Sequence, residues 1–321
     1  MEVIYSSSDS YAEVLAVSIV SLCENNSEAD RIRIHVISNG ISETNCEELR
    51  RIANEYCREI EIIKMPDLCK MADTAIDFKH HNMVTFARLC IGEIFPELDR
   101  AIFLDCDTIV LRSLQPLWDM QFQDGKICAG VLDAISRFNK RKVGLQKNDA
   151  YINAGVLLAD LKRWREQKVA EAFFAFLRRK KGSVPLVDQG VLNGVISRQL
   201  QPVDARYNFM TFGFAFSYHE IRRYKKFCGY YTEESFEDAK DNIVVAHATG
   251  SFLLDRPWLE HSNYPLKEKW LCYREKTKWS GKPLWPNNVS IADRILRRCA
   301  ATALRRPMIE ALGIVQATLK G

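Results

Sequence analysis

The chain has 321 residues, enough for one large α/β domain or two small ones. With 47% hydrophobic and 27% charged residues the composition is globular, which excludes a disordered chain, and no apolar run approaches the ~20 residues of a membrane span. The net charge of +4 is carried by residues 291–321, so residues 1–290 are neutral overall. A neutral body of this kind is not expected to bind nucleic acid.

The first hundred residues alternate between strand and helix patterns. Apolar spacing predicts strands at Val3–Tyr5, Arg31–Ile37 and Glu59–Lys64, and helices over Tyr11–Cys23, from the N-cap Ser42 to Tyr56, and over Met83–Phe95. Such alternation is typical of βαβ units around a parallel sheet.

The later residues continue this pattern. We predict strands at Ala101–Leu104, Lys126–Leu132, Val156–Leu158 and Asn242–Ala246, helices over Lys162–Arg179 and Asp188–Ile196, and an irregular, aromatic-rich stretch over Asp204–Asp238. Gly281, Pro283 and Pro286 then mark a break. The sequence therefore predicts one mixed α/β domain over residues 1–280 and a basic appendage over residues 281–321.

This appendage has an amphipathic helical pattern. Ile291, Ala292, Ile295, Leu296, Cys299 and Ala303 project to one side, and Arg294, Arg297, Arg298 and Arg305 project to the other. Pro307 ends that helix or begins a second one, Met308–Leu319. The pattern is compatible with a helix pair packed on the body, but it favours peripheral contact with an anionic membrane surface.

The cysteines and the N-terminus bear on the cellular compartment. The ten cysteines contain no Cys-x-x-Cys pair and lie among apolar residues, which predicts reduced thiols rather than disulfides or a zinc site. Residues 1–5 lack the basic and apolar segments of a signal peptide. We therefore expect a cytoplasmic protein, with its membrane contact on the inner face.

The sharpest chemical signal is the pair Asp105 and Asp107, directly after an apolar strand. Two carboxylates spaced i, i+2 lie on one side of an extended chain, at the strand end where open α/β sheets bind ligands. Hard oxygen ligands of this kind suit Mg²⁺ or Mn²⁺, which could also grip a diphosphate. Asp-x-Asp is also common in polar turns.

Two enzyme classes fit an apolar strand followed by Asp-x-Asp. In dehalogenase-like phosphatases the first Asp is the nucleophile, but their pattern puts Thr or Val where this chain has Ile109, and usually lies on an early strand. In nucleotide-sugar glycosyltransferases the two carboxylates hold a metal. A non-catalytic protein that binds nucleotide sugars is a third alternative.

Further motifs, in order along the chain, distinguish between these classes. They are Phe86-Ala87-Arg88-Leu89, the strand through Asp107, Pro116-Leu117-Trp118, Tyr151 to Leu158 with Leu161-Lys162-Arg163-Trp164, Asp188 to Asn193, Arg206 to Phe209, His247 to Ser251, and Pro257-Trp258. Over residues 2–260 this series resembles the retaining glycosyltransferases of family 8, notably bacterial lipopolysaccharide and lipooligosaccharide galactosyl- and glucosyltransferases.

The resemblance implies a GT-A-type fold, a Rossmann-like and mostly parallel mixed sheet with flanking helices. It implies metal-dependent, retaining transfer of galactose or glucose from a UDP-sugar to a hydroxyl of a glycan acceptor, which we expect to be lipid-linked. His247, on its own most simply a structural histidine, becomes the third ligand of Mn²⁺ or Mg²⁺ beside Asp105 and Asp107.

The resemblance also assigns the other site residues. It places uridine at Ser6, Ser7, Ser8, Asp9 and Tyr11, with Ser8 where an acidic residue is frequent. The other donor contacts it implies are Arg88, Cys106, Asn153, Ala154, Gly250 and Arg256, with Arg256 standing where the family usually has a lysine. Gln189, Asp188 and Asp133 are its expected catalytic residues, on the transferred sugar.

The acceptor site and the mechanism are less determined by the sequence. We expect acceptor contacts from the aromatic stretch Tyr207–Tyr218 and from the loop at His80 and His81. The residue assigned to the β-face of the sugar, Gln189, is an amide and a poor nucleophile. We therefore predict a front-face substitution rather than a double displacement.

Overall fold

The computed structural model describes residues 1–72, 83–182 and 184–318, so the predicted acceptor contacts at His80 and His81 lie outside the described residues. The strands, in chain order, are β1 (Glu2–Ser8), β2 (Arg33–Asn39), β3 (Glu59–Lys64), β4 (Arg100–Leu104), β5 (Thr108–Val110), β6 (Cys128–Leu132), β7 (Ile152–Asp160), β8 (Leu200–Val203), β9 (Phe209–Met210) and β10 (Val245–His247).

Helices occupy most of the connections between these strands. The α-helices are α1 (Ala12–Glu24), α2 (Glu43–Glu55), α3 (Leu68–Ala72), α4 (Ile91–Ile94), α5 (Gln115–Trp118), α6 (Arg137–Lys142), α7 (Leu161–Glu166), α8 (Val169–Arg179), α9 (Val187–Ile196), α10 (Thr211–Ala215), α11 (Tyr218–Lys225), α12 (Glu233–Asp241), α13 (Lys267–Arg274), α14 (Ile291–Ala300) and α15 (Arg305–Thr318). Short 3₁₀ helices span Asp9–Tyr11, Met83–Cys90, Ser197–Gln199 and Ala205–Asn208.

Within the described residues, the main sheet has seven strands in the order β3-β2-β1-β4-β7-β6-β8. Strands β3, β2, β1 and β4 are mutually parallel, whereas β7 runs antiparallel to both of its neighbours. A second sheet has the order β5-β10-β9. The predicted mixed, mostly parallel sheet is therefore confirmed.

Strand β4 lies at the centre of the main sheet and is buried on both faces. Ile102 and Leu104 pack into the core on one face, and Ala101 and Phe103 pack into the core on the other. This position explains the unbroken apolar run, since a strand covered on both faces has no solvent side. Its carboxyl end delivers Asp105 to the edge of the sheet.

Three sequence expectations differ from the structure. The helical segment over Lys162–Arg179 is divided into α7 and α8, because Lys168 between them adopts a left-handed conformation with φ 53°. The segment Met83–Phe95 is mainly a 3₁₀ helix followed by the single turn α4. The stretch Asp204–Asp238, predicted to be irregular, contains α10, α11 and most of α12, which the aromatic pattern concealed.

The C-terminal helices lie against the body. Helix α15 packs on α11, where Ile309 is fully buried and a Cβ on Gly313 would come within 2.3 Å of the Arg223 carbonyl oxygen. Ile291 and Ile295 of α14 are 76% and 55% exposed. No helix in the described part of the chain has the length and apolar content needed to cross a membrane.

Candidate active site

The two carboxylates after β4 converge with a histidine from β10. Strand β10 pairs antiparallel to β5 with His247 opposite Thr108, so that the histidine lies beside Asp107. Its Nε2 is 3.1 Å from Asp107 Oδ1 and 3.7 Å from Asp105 Oδ2. One ligand atom from each of the three residues lies within 4.8 Å of the others. The predicted grouping is therefore present in the fold.

This cluster has the composition and the spacing of a divalent-cation site. Neighbouring ligands of an ion with bonds of about 2.1 Å lie about 3 Å apart, close to the separation of His247 from Asp107. Two carboxylate oxygens and one imidazole nitrogen suit Mn²⁺ or Mg²⁺. Gly155 makes room for them, because a Cβ there would lie 2.2 Å from His247 Cε1 and 2.8 Å from Asp105 Oδ2.

The charges of this cluster alter its proton affinities. Burial would lower the pKa of His247, but the adjacent Asp107 and Asp105 outweigh burial and raise it. Burial would raise the pKa of Asp107, but His247 and Arg256 outweigh burial and lower it. The carboxylate of Asp107 is therefore kept ionised, as a metal ligand must be.

A hydrogen-bond chain joins this cluster to the residues assigned to the sugar. His247 Nδ1 donates to Asn208 Oδ1 at 2.9 Å, and Asn208 Nδ2 donates to Asn153 Oδ1 at 2.8 Å. Asn153 Nδ2 donates to Gln189 Oε1 at 3.0 Å, and Gln189 Nε2 donates to Asp133 Oδ2 at 2.9 Å. Asn208 was not among the predicted site residues, although it lies inside the motif Arg206 to Phe209.

Arg88 is the buried cation of the site. Its guanidinium donates to Asp105 Oδ1 at 2.7 Å, pairs with Asp188 Oδ2 at 2.7 Å, and also bonds the Ala154 carbonyl oxygen. The ring of Phe103 lies 4.6 Å from the guanidinium carbon. Arg88 therefore links the metal-ligand carboxylate to α9, and it also lines the cavities on either side.

The N-terminus of α9 carries Asp188 and Gln189. The turn before them is strained, since Leu186 and Val187 both have positive φ, 59° and 57°. Gly190 allows this turn, because a Cβ there would lie 2.0 Å from the Pro185 carbonyl oxygen. Burial raises the pKa of Asp188 to about 6, although the charge of Arg88 opposes that rise.

A cavity of about 480 Å³ lies beside these residues. It is lined by Arg88, Asp105, Asp133, Asn153, Ala154, Asp188 and Gln189, among others. All three residues predicted to be catalytic therefore face one space, next to the carboxylate of Asp105. Its lining of carboxylates, amides and one guanidinium suits a polyhydroxylated ligand.

A second cavity of about 250 Å³ adjoins the first at Arg88 and Asp105. Ser6, Ser7, Ser8, Tyr11, Cys106, Asp107 and Arg256 contribute to its lining. Arg256 donates to the Tyr11 hydroxyl at 2.6 Å, and its guanidinium nitrogen lies 3.9 Å from Asp107 Oδ2. A cationic side chain is thus held close to the metal-ligand cluster, at a position suited to phosphate.

Asp9 does not line this cavity. Its Oδ1 accepts hydrogen bonds from the Ser42 backbone N–H and from Asn45 Nδ2, both at 2.7 Å. Its carboxylate therefore caps the N-terminus of α2, and these hydrogen bonds lower its pKa. Ser42 precedes α2 as predicted, but the side-chain cap comes from Asp9.

A third cavity of about 150 Å³ shares Asp133 and Asn153 with the first. Gly250 and Ser251 line it on one side, and Phe212, Phe216, Tyr224, Lys225 and Phe252 contribute aromatic and basic side chains. Gly250, predicted as a donor contact, lies in this third cavity. Part of the predicted aromatic stretch therefore does face the site.

Comparison with known proteins places this site in a family context. The sequence profile named Glycosyl transferase family 8 matches residues 2–262. General stress protein A of Bacillus subtilis is 23% identical over 87% of this chain and 95% of its own length. Lipopolysaccharide 1,2-glucosyltransferase of Escherichia coli is 26% identical over 80% of this chain and 72% of its own.

A solved structure shares the fold. The galactosyltransferase LgtC, in complex with donor and acceptor sugar analogues, has a TM-score of 0.73 and 26% identity to this chain. The match covers 88% of this chain and 100% of that one. The predicted GT-A-type α/β fold is confirmed by this similarity.

Proposed function

The chain belongs to glycosyl transferase family 8, and we propose that it transfers galactose or glucose from a UDP-sugar to a hydroxyl of a glycan acceptor, with Mn²⁺ or Mg²⁺ and with retention of configuration. The observation that carries the proposal is the contiguity of three cavities around Asp105, Asp133 and Asn153. The second cavity would take a nucleoside diphosphate, the first would take the transferred sugar, and the third would take an acceptor.

The donor is bound by residues of the first two cavities. Tyr11 offers an aromatic ring to a base, and Arg256 offers charge to a diphosphate beside Asp107. A divalent cation bound by Asp105, Asp107 and His247 would stabilise the negative charge of the departing UDP. Asp133 and Asn153 line the first cavity, where their polar atoms can orient the hydroxyls of a hexose.

The geometry supports a front-face substitution. Gln189 is held at both ends of its amide, by Asn153 and Asp133, and an amide is a weak nucleophile. The carboxylate of Asp188 is buried in an ion pair with Arg88, which makes it less available for attack on an anomeric carbon. The leaving diphosphate then takes the acceptor proton on the face it departs from.

We further propose that the acceptor is a lipid-linked saccharide reached at the inner face of a membrane. Ile291 and Ile295 of α14 and Leu304 of the turn that follows it are 76%, 55% and 58% exposed, which supplies apolar contact area in the C-terminal segment. Arg294, Arg298 and Arg306 lie on α14 and α15 and add positive charge for anionic headgroups. A lipopolysaccharide glucosyltransferase among the relatives is consistent with such an acceptor.

The decisive experiment measures UDP release from UDP-glucose, UDP-galactose and UDP-N-acetylglucosamine, with Mn²⁺ and with chelator. We expect the parent chain to release UDP from UDP-glucose or UDP-galactose in a metal-dependent reaction. We expect the Asp107→Asn variant to release no UDP. Absence of release from all three donors would favour a non-catalytic binding protein. Release of phosphate from small phosphoesters would favour the phosphatase alternative, against the family membership.

A further inference from the structure

The third cavity has two walls that come from different parts of the chain. One wall is the helical segment α10–α11, which contributes Phe216 and Tyr224, and the other is the loop that carries Phe252. The three rings touch one another, with centroids 5.4 Å apart for Phe216 and Tyr224 and 5.9 Å apart for each ring with Phe252. The width of the cavity therefore depends on how these two walls are held together.

Arg297 of α14 holds the loop wall. Its Nε donates to the Phe252 carbonyl oxygen at 2.9 Å, and its two terminal nitrogens bind the Asp255 carboxylate at 2.9 and 2.7 Å. Asp255 is 8% exposed, so this bidentate ion pair is largely shielded from solvent. The residue after Asp255 is Arg256, which lines the second cavity together with Arg88.

Arg305 of α15 holds the helical wall. It binds both carboxylate oxygens of Glu220 at 2.6 and 3.0 Å, and it donates to the Ala215 carbonyl oxygen at 2.8 Å. The buried side chain of Ile309 and the contact of Gly313 with the Arg223 carbonyl oxygen attach the rest of α15 to the same wall. Both arginines belong to one hairpin of consecutive helices, α14 and α15.

We propose that Arg297 and Arg305 are positioning residues for the acceptor, because they tie the two aromatic walls of the third cavity to one helical hairpin. The cavity combines aromatic rings with Asp133 and Asn153, a combination that suits a pyranose ring packed on its apolar face and bonded through its hydroxyls. The identity of the ligand rests on the proposed function. The attachment of the two walls to α14 and α15, called bracing below, is independent of that function.

The bracing is tested by hydrogen exchange in Arg297→Gln and Arg305→Gln. We expect the rate of amide hydrogen exchange to rise about tenfold in residues 249–256 of Arg297→Gln and in residues 211–225 of Arg305→Gln. A tenfold rise corresponds to a loss of about 1.4 kcal/mol of local stability. The matched control is Arg306→Gln, since Arg306 is exposed and its ion pair is with Glu310 on its own helix. Exchange unchanged from the parent chain in both variants would overturn the bracing.

The acceptor role is tested with methyl β-galactoside and methyl β-glucoside as acceptor probes. Both variants should raise the KM for the glycoside about tenfold, and in Arg305→Gln, whose wall holds no donor residue, kcat and UDP-hexose hydrolysis should change less than about twofold. If the variants exchange faster but keep the parent KM for the glycoside, the acceptor role is overturned. It is also overturned if the parent chain transfers hexose to neither glycoside and neither glycoside slows its hydrogen exchange. If the parent chain hydrolyses no UDP-hexose, the proposed function is overturned. The bracing is still tested in that case, by comparing hydrogen exchange in the variants and the parent chain.

Discussion

His247 Nδ1 donates a hydrogen bond to Asn208 Oδ1 at 2.9 Å, and both side chains are buried. Asn208 uses its Nδ2 to donate to Asn153, which assigns its Oδ1 to the histidine. Nδ1 therefore carries a proton, and Nε2 is directed at Asp105 and Asp107, where a bound metal ion would replace its proton. One amide thus orients His247 and begins the hydrogen-bond chain that ends at Asp133.

Asn208→Ala should weaken Mn²⁺ binding about 10- to 100-fold, because the imidazole loses the acceptor that orients it. Asn208→Asp is the informative companion, since a carboxylate still accepts from His247 but cannot donate to Asn153. It should keep Mn²⁺ binding and lose donor turnover. Titration calorimetry with Mn²⁺ and UDP release measure the two effects separately. Unchanged Mn²⁺ affinity in Asn208→Ala would show that the histidine needs no support from Asn208.

The two carboxylates after β4 should differ in their effect on stability. Both are half-buried rather than exposed, and Asp105 is also a partner of the buried Arg88. Asp105→Ala should therefore lower the free energy of unfolding by about 1–3 kcal/mol, whereas Asp107→Asn should lower it less. Both variants should lose metal-dependent transfer. Urea denaturation checks the stabilities, and equal losses in the two variants would contradict the role of Arg88.

Gln189→Ala should slow transfer without trapping a glycosyl-enzyme. The variant leaves Asp188 paired with Arg88, so no carboxylate is released to act as a nucleophile. Intact-protein mass spectrometry after incubation with UDP-hexose should show the unmodified chain. A covalent hexose on Asp188, together with complete loss of turnover, would overturn the front-face mechanism.

Truncation after Pro286 should release the protein from anionic vesicles, but it also removes Arg297, Arg305 and the buried Ile309. The double variant Ile291→Ser, Ile295→Ser tests the same idea more finely, because it removes exposed apolar area and leaves Arg297 and Arg305 in place. Both forms should bind phosphatidylglycerol vesicles more weakly in a sedimentation assay at low salt. Equal binding by the full-length and truncated chains would exclude the membrane role of the C-terminal helices.

The ion pair between Arg305 and Glu220 should make stability depend on pH in acid. Arg305 holds the pKa of Glu220 below its usual range, so the unfolded chain takes up this proton at a higher pH than the folded chain does. The contribution of the ion pair to the free energy of unfolding is complete above about pH 4.3, the pKa of a glutamate in the unfolded chain. It is lost as the pH falls through the lowered pKa of Glu220 in the folded chain. Glu220→Gln should therefore be less stable than the parent at neutral pH, and the difference should shrink in acid. A pH-independent difference in urea denaturation would contradict this assignment.

Much of the main sheet could be predicted from the sequence. Glu59–Lys64 was predicted with its observed bounds as β3, and the apolar run before Asp105 correctly indicated a strand, which the structure shows to be buried on both faces. These predictions succeed because periodicity reports the local geometry of a segment and which of its faces is covered. The same reasoning missed the break at Lys168, since a single left-handed residue leaves the helical pattern on each side intact.

The residue types of the site could be read along the chain, as two carboxylates at a strand end and a series of motifs that resemble family 8. Their partners could be found only in the folded protein: Asn208 with His247, Arg88 with both Asp105 and Asp188, and Asp9 with the N-terminus of α2. In the structure Arg297 and Arg305 bind carboxylates of the body, whereas the helical projection had grouped them with Arg294 and Arg298 on one basic side. The physical reason is distance along the chain, because a hydrogen bond between residues 39 or 85 positions apart leaves no trace in local periodicity.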